Sequence, residues 1–359
     1  MTGVQPCALP ISELGFTYGE PIVTRLENGT WVAVFGNGYN SINNQAVLFV
    51  VDLKTGTLLH KTELGATGGN GLSGLAGWRD VGTRTFLSRI YAGDLNGTMW
   101  RVDFNGSTPD VKYTGGLFTD PLARPITATP NLAAHPDGGV AVYFGTGKLI
   151  ENTDRLDTDL DRFYVVRDKD VALTDISGLT EANITGGPPP IFRTVVNSAG
   201  IGTDGWYMDL TDGSAVGERV LAPPRVIFGR VILATYQPIE DPCQPGGIQR
   251  AYVLDALSGD GALPSCDNCG ALEIGAGAPF VPPISIRPQT PPDGSSVTFP
   301  GDPDPGGGPP TFPAPPAPTG NANTAGWCSE FGIPPLFVGG AFLPLGTICE
   351  GRQVWREVR

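Results

Sequence analysis

The sequence predicts an all-β protein, a partial β-propeller with a Pro/Gly-rich loop, and three observations carry that prediction. The first is an internal repeat. Pro21–Gly38 (PIVTRLENGTWVAVFGNG) and Pro130–Gly147 (PNLAAHPDGGVAVYFGTG) each place Phe-Gly-x-Gly fourteen residues after a proline, at Phe35 and Phe144, with a Gly-bearing turn between. The second is a run ending in an aspartate and a turn, found at Asp52, Asp103, Asp168 and Asp255. The upstream strands that match these runs are VAVFGNG, SRIYAGD (Ser88–Asp94), VAVYFGTG and RVILATY (Arg230–Tyr236), so four copies are visible. The third is that the copies read as four-stranded meanders with no amphipathic helix between them, and radial repetition of such meanders protects sheet edges. A β-sandwich is the alternative, but it does not predict similarity between repeats.

In the first copy, strands are expected at Pro21–Leu26, Thr30–Gly36, Ala46–Leu53 and Thr57–Glu63. Glu27-Asn28-Gly29 and Lys54-Thr55-Gly56 supply turn residues that tolerate positive φ. The run Trp31–Gly36 is apolar without alternation, which predicts burial on both faces. The second copy covers Gly71 to Val111. The third covers Pro125 to Leu210 with a long excursion at Lys169–Ala199, and the fourth Glu218 to Leu263. Val32–Phe35, Arg89–Ala92, Ala141–Phe144 and Ile232–Thr235 are the expected buried strands, because blade-on-blade packing covers both faces of such runs.

Both ends of the chain depart from this pattern. Met1–Ser12 (MTGVQPCALPIS) resembles a translated sequencing-adapter read-through, so residues 1–12 are set aside as a non-native leader and the chain is expected to be a fragment. Residues 13–278 are assigned to blades. Fifteen of the 35 prolines fall between Pro279 and Pro318, where missing amide donors rule out a ladder, so 279–325 is expected to be a linker or loop. Residues 326–359 are expected to close the propeller, with Gly351–Arg359 as one more strand.

Charge narrows the function classes. Twenty-three Lys and Arg against 36 Asp and Glu leave a net −13 without a basic cluster, which argues against nucleic acid and anionic lipid as partners. No stretch reaches the roughly 18 consecutive apolar residues of a membrane helix. Beyond Cys7 in the leader, Cys243, Cys266, Cys269, Cys328 and Cys349 all lie in the last third, in Gly/Pro-rich surroundings that suit disulfides in an oxidising compartment. Cys328 with Cys349 is the expected pair because it brackets one irregular stretch, a closure worth about 3 kcal/mol. The CxxC at Cys266–Cys269 has neither the βαβ context of a redox motif nor a second ligand pair for zinc.

Sites of chemistry are sparse. His60 and His135 lack Ser/Asp company, and no G-x-S-x-G is present. Gly36-Asn37-Gly38 and Gly145-Thr146-Gly147-Lys148 follow strands but precede no helix, so they read as strand-end turns and not phosphate loops. Asp157, Asp159 and Asp161 form D-x-D-x-D, the opening of a calcium loop, yet no Gly stands at the sixth place and no acid at the twelfth. A solvated edge is the plainer reading of those three, with calcium as the weaker one.

Six segments in order resemble the C-terminal propeller of the PilC/PilY family of type IV pilus-associated proteins. They are GEPIVTRLENGTWVAVFGNGYNS (Gly19–Ser41), RIYAGDLNGTMWRVDF (Arg89–Phe104), VYFGTGKLIENTDRLDTD (Val142–Asp159), GWYMDL (Gly205–Leu210), RVILATYQPIEDPCQPGGIQRAYVLDALSG (Arg230–Gly259) and GRQVWRE (Gly351–Glu357). The resemblance implies a modified propeller of about seven blades, of which this chain would hold about four to five. It also implies a non-enzymatic protein of the bacterial cell surface or pilus tip that supports pilus assembly by opposing retraction and takes part in attachment. Minor pilins or the pilus tip would be its partners, and a host or abiotic surface its adhesion target. The adhesive region that precedes the propeller in the family is expected to be absent from this fragment, as is a signal peptide.

Family members often carry a calcium loop just before the Tyr-x-Gly-Asp-Leu strand. The corresponding Asp80–Ser88 stretch keeps a carboxylate only at Asp80, with Ser88 at its far end and Arg84 where an oxygen ligand is needed. That site is expected to be lost, leaving no cofactor. Two rival classes are a quinoprotein-dehydrogenase-like propeller, for which adjacent cysteines and a shared Trp docking pattern are missing, and a secreted carbohydrate-binding propeller, whose sites leave little trace in sequence. Calcium binding to the native fold would raise the melting temperature in a concentration-dependent way. Calorimetry with and without calcium is expected to show no such rise attributable to this loop; a rise abolished by Asp80→Ala would show the site intact.

Overall fold

The computed structural model describes residues 13–65, 68–80, 86–186, 192–213, 216–239, 246–263 and 267–277, with five short strands beyond them. The chain divides into two units, residues 1–282 with 355–359, and residues 283–354.

Four sheets make up the first unit. Sheet 1 is the meander β1 (Ile22–Arg25), β2 (Trp31–Gly36), β3 (Ala46–Asp52) and β4 (Leu58–Leu64). Sheet 2 repeats it with β5 (Leu72–Trp78), β6 (Arg89–Asp94), β7 (Thr98–Asn105) and β8 (Thr108–Val111), and a short β9 (Phe118–Thr119) also pairs with β7. Sheet 3 begins with β10 (Asn131–Ala134), β11 (Val140–Gly145) and β12 (Arg162–Asp168). The chain then leaves to form β13 (Thr180–Glu181), β14 (Asn183–Gly186) and β15 (Phe192–Val196), and returns at β16 (Gly205–Asp209), which pairs with β12. Sheet 4 contains β17 (Arg219–Val220), β18 (Arg225–Ile227), β19 (Arg230–Ile239), β20 (Gly246–Asp255) and β21 (Cys269–Gly277).

The meanders of sheets 1 and 4 are closed by turn chemistry written into the repeat. Asp52 Oδ1 accepts hydrogen bonds from the amides of Lys54 and Thr55, and Asp255 Oδ1 accepts from those of Leu257 and Ser258. The turns end at Gly56 and Gly259, whose φ of 71° and 82° would strain any residue with a Cβ.

The period of two along each strand then decides what packs where. Ile90 and Ala92 join the cluster that binds sheet 2 to sheet 1, together with Val32, Val34, Leu48 and Trp100. Tyr91, between them in sequence, joins the cluster shared with sheet 3. In β11, Val142 and Phe144 face sheet 2, while Ala141 and Tyr143 face sheet 4 alongside Trp206, Leu233 and Tyr252. Three apolar layers thus alternate with four sheets, and β5 touches both β1 and β10 while β10 touches β18. This is the blade stacking of a β-propeller.

Three expectations need correction. Trp31–Gly36 is not buried on both faces: Val32 and Val34 are buried against sheet 2, but Trp31 is 57% exposed and Ala33 and Phe35 are half-buried. These lie on the face of sheet 1 turned away from sheet 2, outside the apolar layer between the two. Arg89 is also half-buried, whereas Ile90–Ala92, Ala141–Phe144 and Ile232–Thr235 are buried as expected. The fourth copy does not end at Leu263. It continues into β21, and its outermost strands are β15 and β14, drawn from the excursion inside the third copy. Finally, Ser285 and Ile286, within the proline-dense segment, do pair with Phe337 and Leu336. They lie between Pro283 and Pro288 and keep their amide donors.

The second unit contributes a three-stranded sheet of β22 (Ser285–Ile286), β24 (Leu336–Val338) and β25 (Ala341–Leu343), and a two-stranded one of β23 (Trp327–Cys328) and β26 (Cys349–Glu350). The leader 1–12, most of the 279–325 linker and the closing Gly351–Arg359 strand lie outside the described residues.

The two copies of the Phe-Gly-x-Gly motif make a quantitative comparison. Phe144 is fully buried and packs on Phe118 and Tyr164, whereas Phe35 is half-buried beside Phe49. Phe144→Ala is expected to destabilise by about 3–5 kcal/mol. Phe35→Ala should cost clearly less, and urea midpoints of the two variants give the comparison.

Candidate functional site

An arginine holds the D-x-D-x-D run. A short 3-10 turn (Asn152–Leu156) leads into Asp157, Asp159 and Asp161, just ahead of β12. Arg124, from the connection between β9 and β10, reaches all three: Nη2 lies 2.6 Å from Asp157 Oδ2, Nη1 2.9 Å from Asp159 Oδ2 and Nε 3.2 Å from Asp161 Oδ1. Thr146 Oγ1 donates to Asp161 Oδ1 at 2.8 Å and accepts the Arg162 amide at 2.8 Å. A second guanidinium takes the carbonyls of the loop. Arg219, fully buried, donates to the backbone oxygens of Gly217, Lys148, Asp154 and Asp157 at 2.6–3.0 Å.

The electrostatics follow from burial and these partners. Burial pushes the Asp161 carboxyl above its ordinary pKa, only partly offset by Arg124 and Thr146. Burial also works against the more open Asp157, but the bonds from Arg124 and the Asp159 amide hold it below the usual range. Arg124 thus binds all three aspartates, with Asp161 sealed from water and Asp159 largely exposed at the solvated edge; they are ligands of a guanidinium.

Asp80 and Ser88 are also engaged. The Asp80 amide donates to Ser88 Oγ at 3.1 Å, Trp78 Nε1 donates to Asp80 Oδ1 at 3.2 Å, and Arg89 Nη2 pairs with the same oxygen at 3.3 Å. Arg84 lies outside the described residues. Among the described residues, no group of three or more His, Cys, Asp or Glu side chains is arranged to hold a metal ion.

Sequence reasoning missed two further buried clusters. Arg101 in β7 forms a two-pronged pair with Asp103 at 2.6 and 2.9 Å, and its Nη1 reaches Asp168 at 2.8 Å across the layer between sheets 2 and 3, where the Tyr91 hydroxyl also donates to Asp168 at 2.6 Å. In sheet 4, Glu218 accepts from Arg193, Arg250, Thr235 and Tyr252, all within 2.6–2.9 Å. Asp103 and Asp168 were visible as repeat-end aspartates. Their arginine partner gave no signal, because Arg101 and Asp168 are 67 residues apart.

The glycine motifs are structural. Asn37, fully buried, accepts the amides of Val47 and Leu72 and donates to the carbonyls of Glu13 and Gln45, tying sheet 1 to β5. A Cβ on Gly36 would stand 2.8 Å from the Leu72 carbonyl, and one on Gly145 would strike Val220, so the motif marks where one blade meets the next. His135 Nδ1 accepts the Asp137 amide in its turn, and His60 lies half-buried in β4. Cys269 is disulfide-bonded, and Cys328 and Cys349 stand opposite one another in the β23–β26 pair; Cys243 and Cys266 lie outside the described residues. Opposed residues in an antiparallel pair have Cα atoms about 4.5–5.5 Å apart, a separation a disulfide can span. A cavity of about 520 Å³ opens beside β8, lined by Lys112, Tyr113, Thr119, Leu173 and Thr174 among others. The Tyr113 hydroxyl is buried without a hydrogen-bond partner, and burial pushes its pKa up to about 12.

A profile of the PilY1 β-propeller domain matches residues 9–188. The chain belongs to the PilY1 β-propeller family. Relatives include a type IV pilus biogenesis factor PilY1 homolog of Xylella fastidiosa, 34% identical over 284 residues, and the type IV pilus biogenesis factor PilY1 of Pseudomonas aeruginosa PAO1, 33% identical over 302. Those alignments take in 70% and 69% of this chain but only 19% and 26% of the relatives, so the chain spans about a fifth to a quarter of their length. The crystal structure of the P. aeruginosa PilY1 C-terminal domain superposes with a TM-score of 0.64 at 24% identity, covering 77% of this chain and 69% of that one. This likeness confirms the propeller. Among the described residues no helix is long and apolar enough to cross a membrane.

Within this PilY1-type propeller, Arg124→Ala would leave three carboxylates without their cation, one of them, Asp161, fully buried. The stabilisation that Arg124 confers through Asp157 is present above the ordinary carboxyl value of 3.8 and is lost as pH falls through the lowered folded value. Thermal scans should therefore show Arg124→Ala melting well below the parent at pH 7, a loss of about 3–5 kcal/mol, with the gap narrowing as pH drops below about 4. A gap constant with pH would contradict the ion-pair account.

Proposed function

We propose that this chain is the propeller portion of a non-enzymatic type IV pilus-associated protein that supports pilus assembly by opposing retraction and contributes to adhesion. The observation that carries the reading is membership of the PilY1 propeller family, whose named relatives are type IV pilus biogenesis factors. The partners in this reading are minor pilins or the pilus tip, with a host or abiotic surface as the adhesion target, and the location is the cell surface of a bacterium. The Cys269 disulfide supports an oxidising compartment.

In this reading the charged clusters are structural. Arg101 and Arg124 are committed to partners across blades, and Arg193 and Glu218 to one another within sheet 4. Calcium control of retraction does not enter the reading, because the sequence of the Asp80–Ser88 stretch offers too few oxygen ligands for the ion. Asp80 is already paired with Arg89 and Trp78, and the other acidic loop is filled by Arg124. A hard cation needs about six to eight oxygen ligands.

The test is an in-frame deletion of codons 13–278 in the source bacterium, with surface pili counted by electron microscopy. Pili should be lost, and should return when the retraction motor is also disabled. Unchanged piliation would refute the assembly role, and loss not rescued by disabling retraction would refute the opposition to retraction.

A further inference from the structure

We infer that the described part of the excursion between β12 and β16, residues 169–186 and 192–204, is a belt that ties sheets 2, 3 and 4 into one unfolding unit, leaving sheet 1 to open separately. In a repeat architecture each unit ordinarily contacts only its neighbours, and stability is close to a sum of unit and nearest-neighbour terms. One segment that bonds three successive blades breaks that rule.

The belt makes its contacts in chain order. At its start it is fixed to sheet 2: Asp170 Oδ1 accepts from Arg101 Nη1 at 2.7 Å, and the Leu173 amide donates to the Leu117 carbonyl at 2.8 Å. Leu173, Ile176 and Leu179 add apolar contact to the layer between sheets 2 and 3. Thr180 and Glu181 then run parallel to Trp206 and Tyr207 of β16, and the Ala182 amide donates to the Tyr207 carbonyl at 2.8 Å, which fixes the belt to sheet 3.

The hold on sheet 4 is the most extensive. β15 pairs with β21 through Phe192–Thr194, and the Val195 amide and carbonyl bond Asn268 and Gly261, each at 2.9 Å. Arg193 reaches the buried Glu218 at 2.6 Å. Asn197 donates to the Ser258 carbonyl at 2.6 Å and, back along the belt, to Thr180 Oγ1 at 2.8 Å. The loop closes where it began, with a Lys169–Asp204 ion pair and the Arg167 amide on the Asp204 carbonyl at 2.8 Å.

Two consequences follow. Sheet 4 lacks its outer strands until the chain of copy three has laid down β14 and β15, so sheets 3 and 4 cannot complete separately. The start of the belt extends that dependence to sheet 2. Sheet 1 is joined to sheet 2 by the apolar layer and the Asn37 and Gly38 bonds to Leu72, but among the described residues the belt makes no hydrogen bond to it.

Hydrogen exchange of the full chain in sub-denaturing urea, read by mass spectrometry, tests the inference. Amides of β6–β7, β11–β12 and β19–β20 should share one opening free energy and one urea dependence, and those of β2–β3 should open more readily. Independent opening of β19–β20 from β11–β12, or of β6–β7 from β11–β12, would overturn the inference. The double variant Asp170→Asn with Leu173→Ser loosens the hold on sheet 2 at exposed or half-buried positions, and its near-UV circular dichroism verifies folding. It should raise exchange in β6–β7 by at least about tenfold relative to β11–β12, the size set by one hydrogen bond to a charged group. A folded double variant in which all three pairs still exchange together would show that the belt does not couple them.

Discussion

Burial of alternate residues against two different neighbours is the constraint on which this molecule is built. A strand such as β11 presents Phe144 and Val142 to one sheet and Tyr143 and Ala141 to another, and all four are sealed from water. No single sheet can shield both of its own faces, so the interior strands are stable only as members of a row. The same constraint explains Phe35. Its strand has the composition of an interior strand, but the face it occupies is turned away from sheet 2, and it is only half-buried.

Stacking sheets this closely traps charge, and the fold answers with arginine. Taking a carboxylate out of water costs several kcal/mol unless a partner of good geometry is supplied. Asp168 receives Arg101 and Tyr91, Glu218 receives two arginines and two hydroxyls, and Asp94 receives Trp100, Asn70 and the amides of Asn96 and Thr98. Burial still leaves Asp94 above its ordinary pKa, so these bonds offset the desolvation incompletely. What they supply is registration. Planar guanidinium and carboxylate groups meet in few orientations, so Arg101 fixes how β7 faces β12 in a way that apolar contact alone does not.

Repeats made much of this legible. The Phe-Gly-x-Gly punctuation placed β2 and β11, and the aspartate turns placed the ends of β3 and β20, because local chemistry determines both features. The origin of the outer strands of sheet 4 was not legible. β15 and β14 carry short mixed sequences, FRTVV and NITG, that do not say which sheet they serve; β14 pairs with β15, and the partner of β15 in sheet 4, Cys269–Leu272, lies about seventy-five to eighty residues on. The charge clusters failed for the same reason. Asp157, Asp159 and Asp161 announced an oxygen-rich loop correctly, but the identity of its cation depended on Arg124, which enters through tertiary structure.

That cation supplies the acidic loop with a counter-charge from within the chain. A guanidinium tethered to its own backbone cannot diffuse away as a free ion can. Arg124 is positioned in turn by Asp120, whose Oδ2 accepts the Arg124 amide at 2.8 Å and whose Oδ1 accepts the hydroxyl of Tyr164 in β12. The connection from sheet 2 to sheet 3 is thus fastened to β12 on one side through Asp120 and to the loop ahead of β12 on the other through Arg124. A calcium ion would join the loop's oxygens to one another, whereas Arg124 joins them to the preceding blade. The oxygen cluster thereby serves blade stacking, the constraint that governs the rest of the fold.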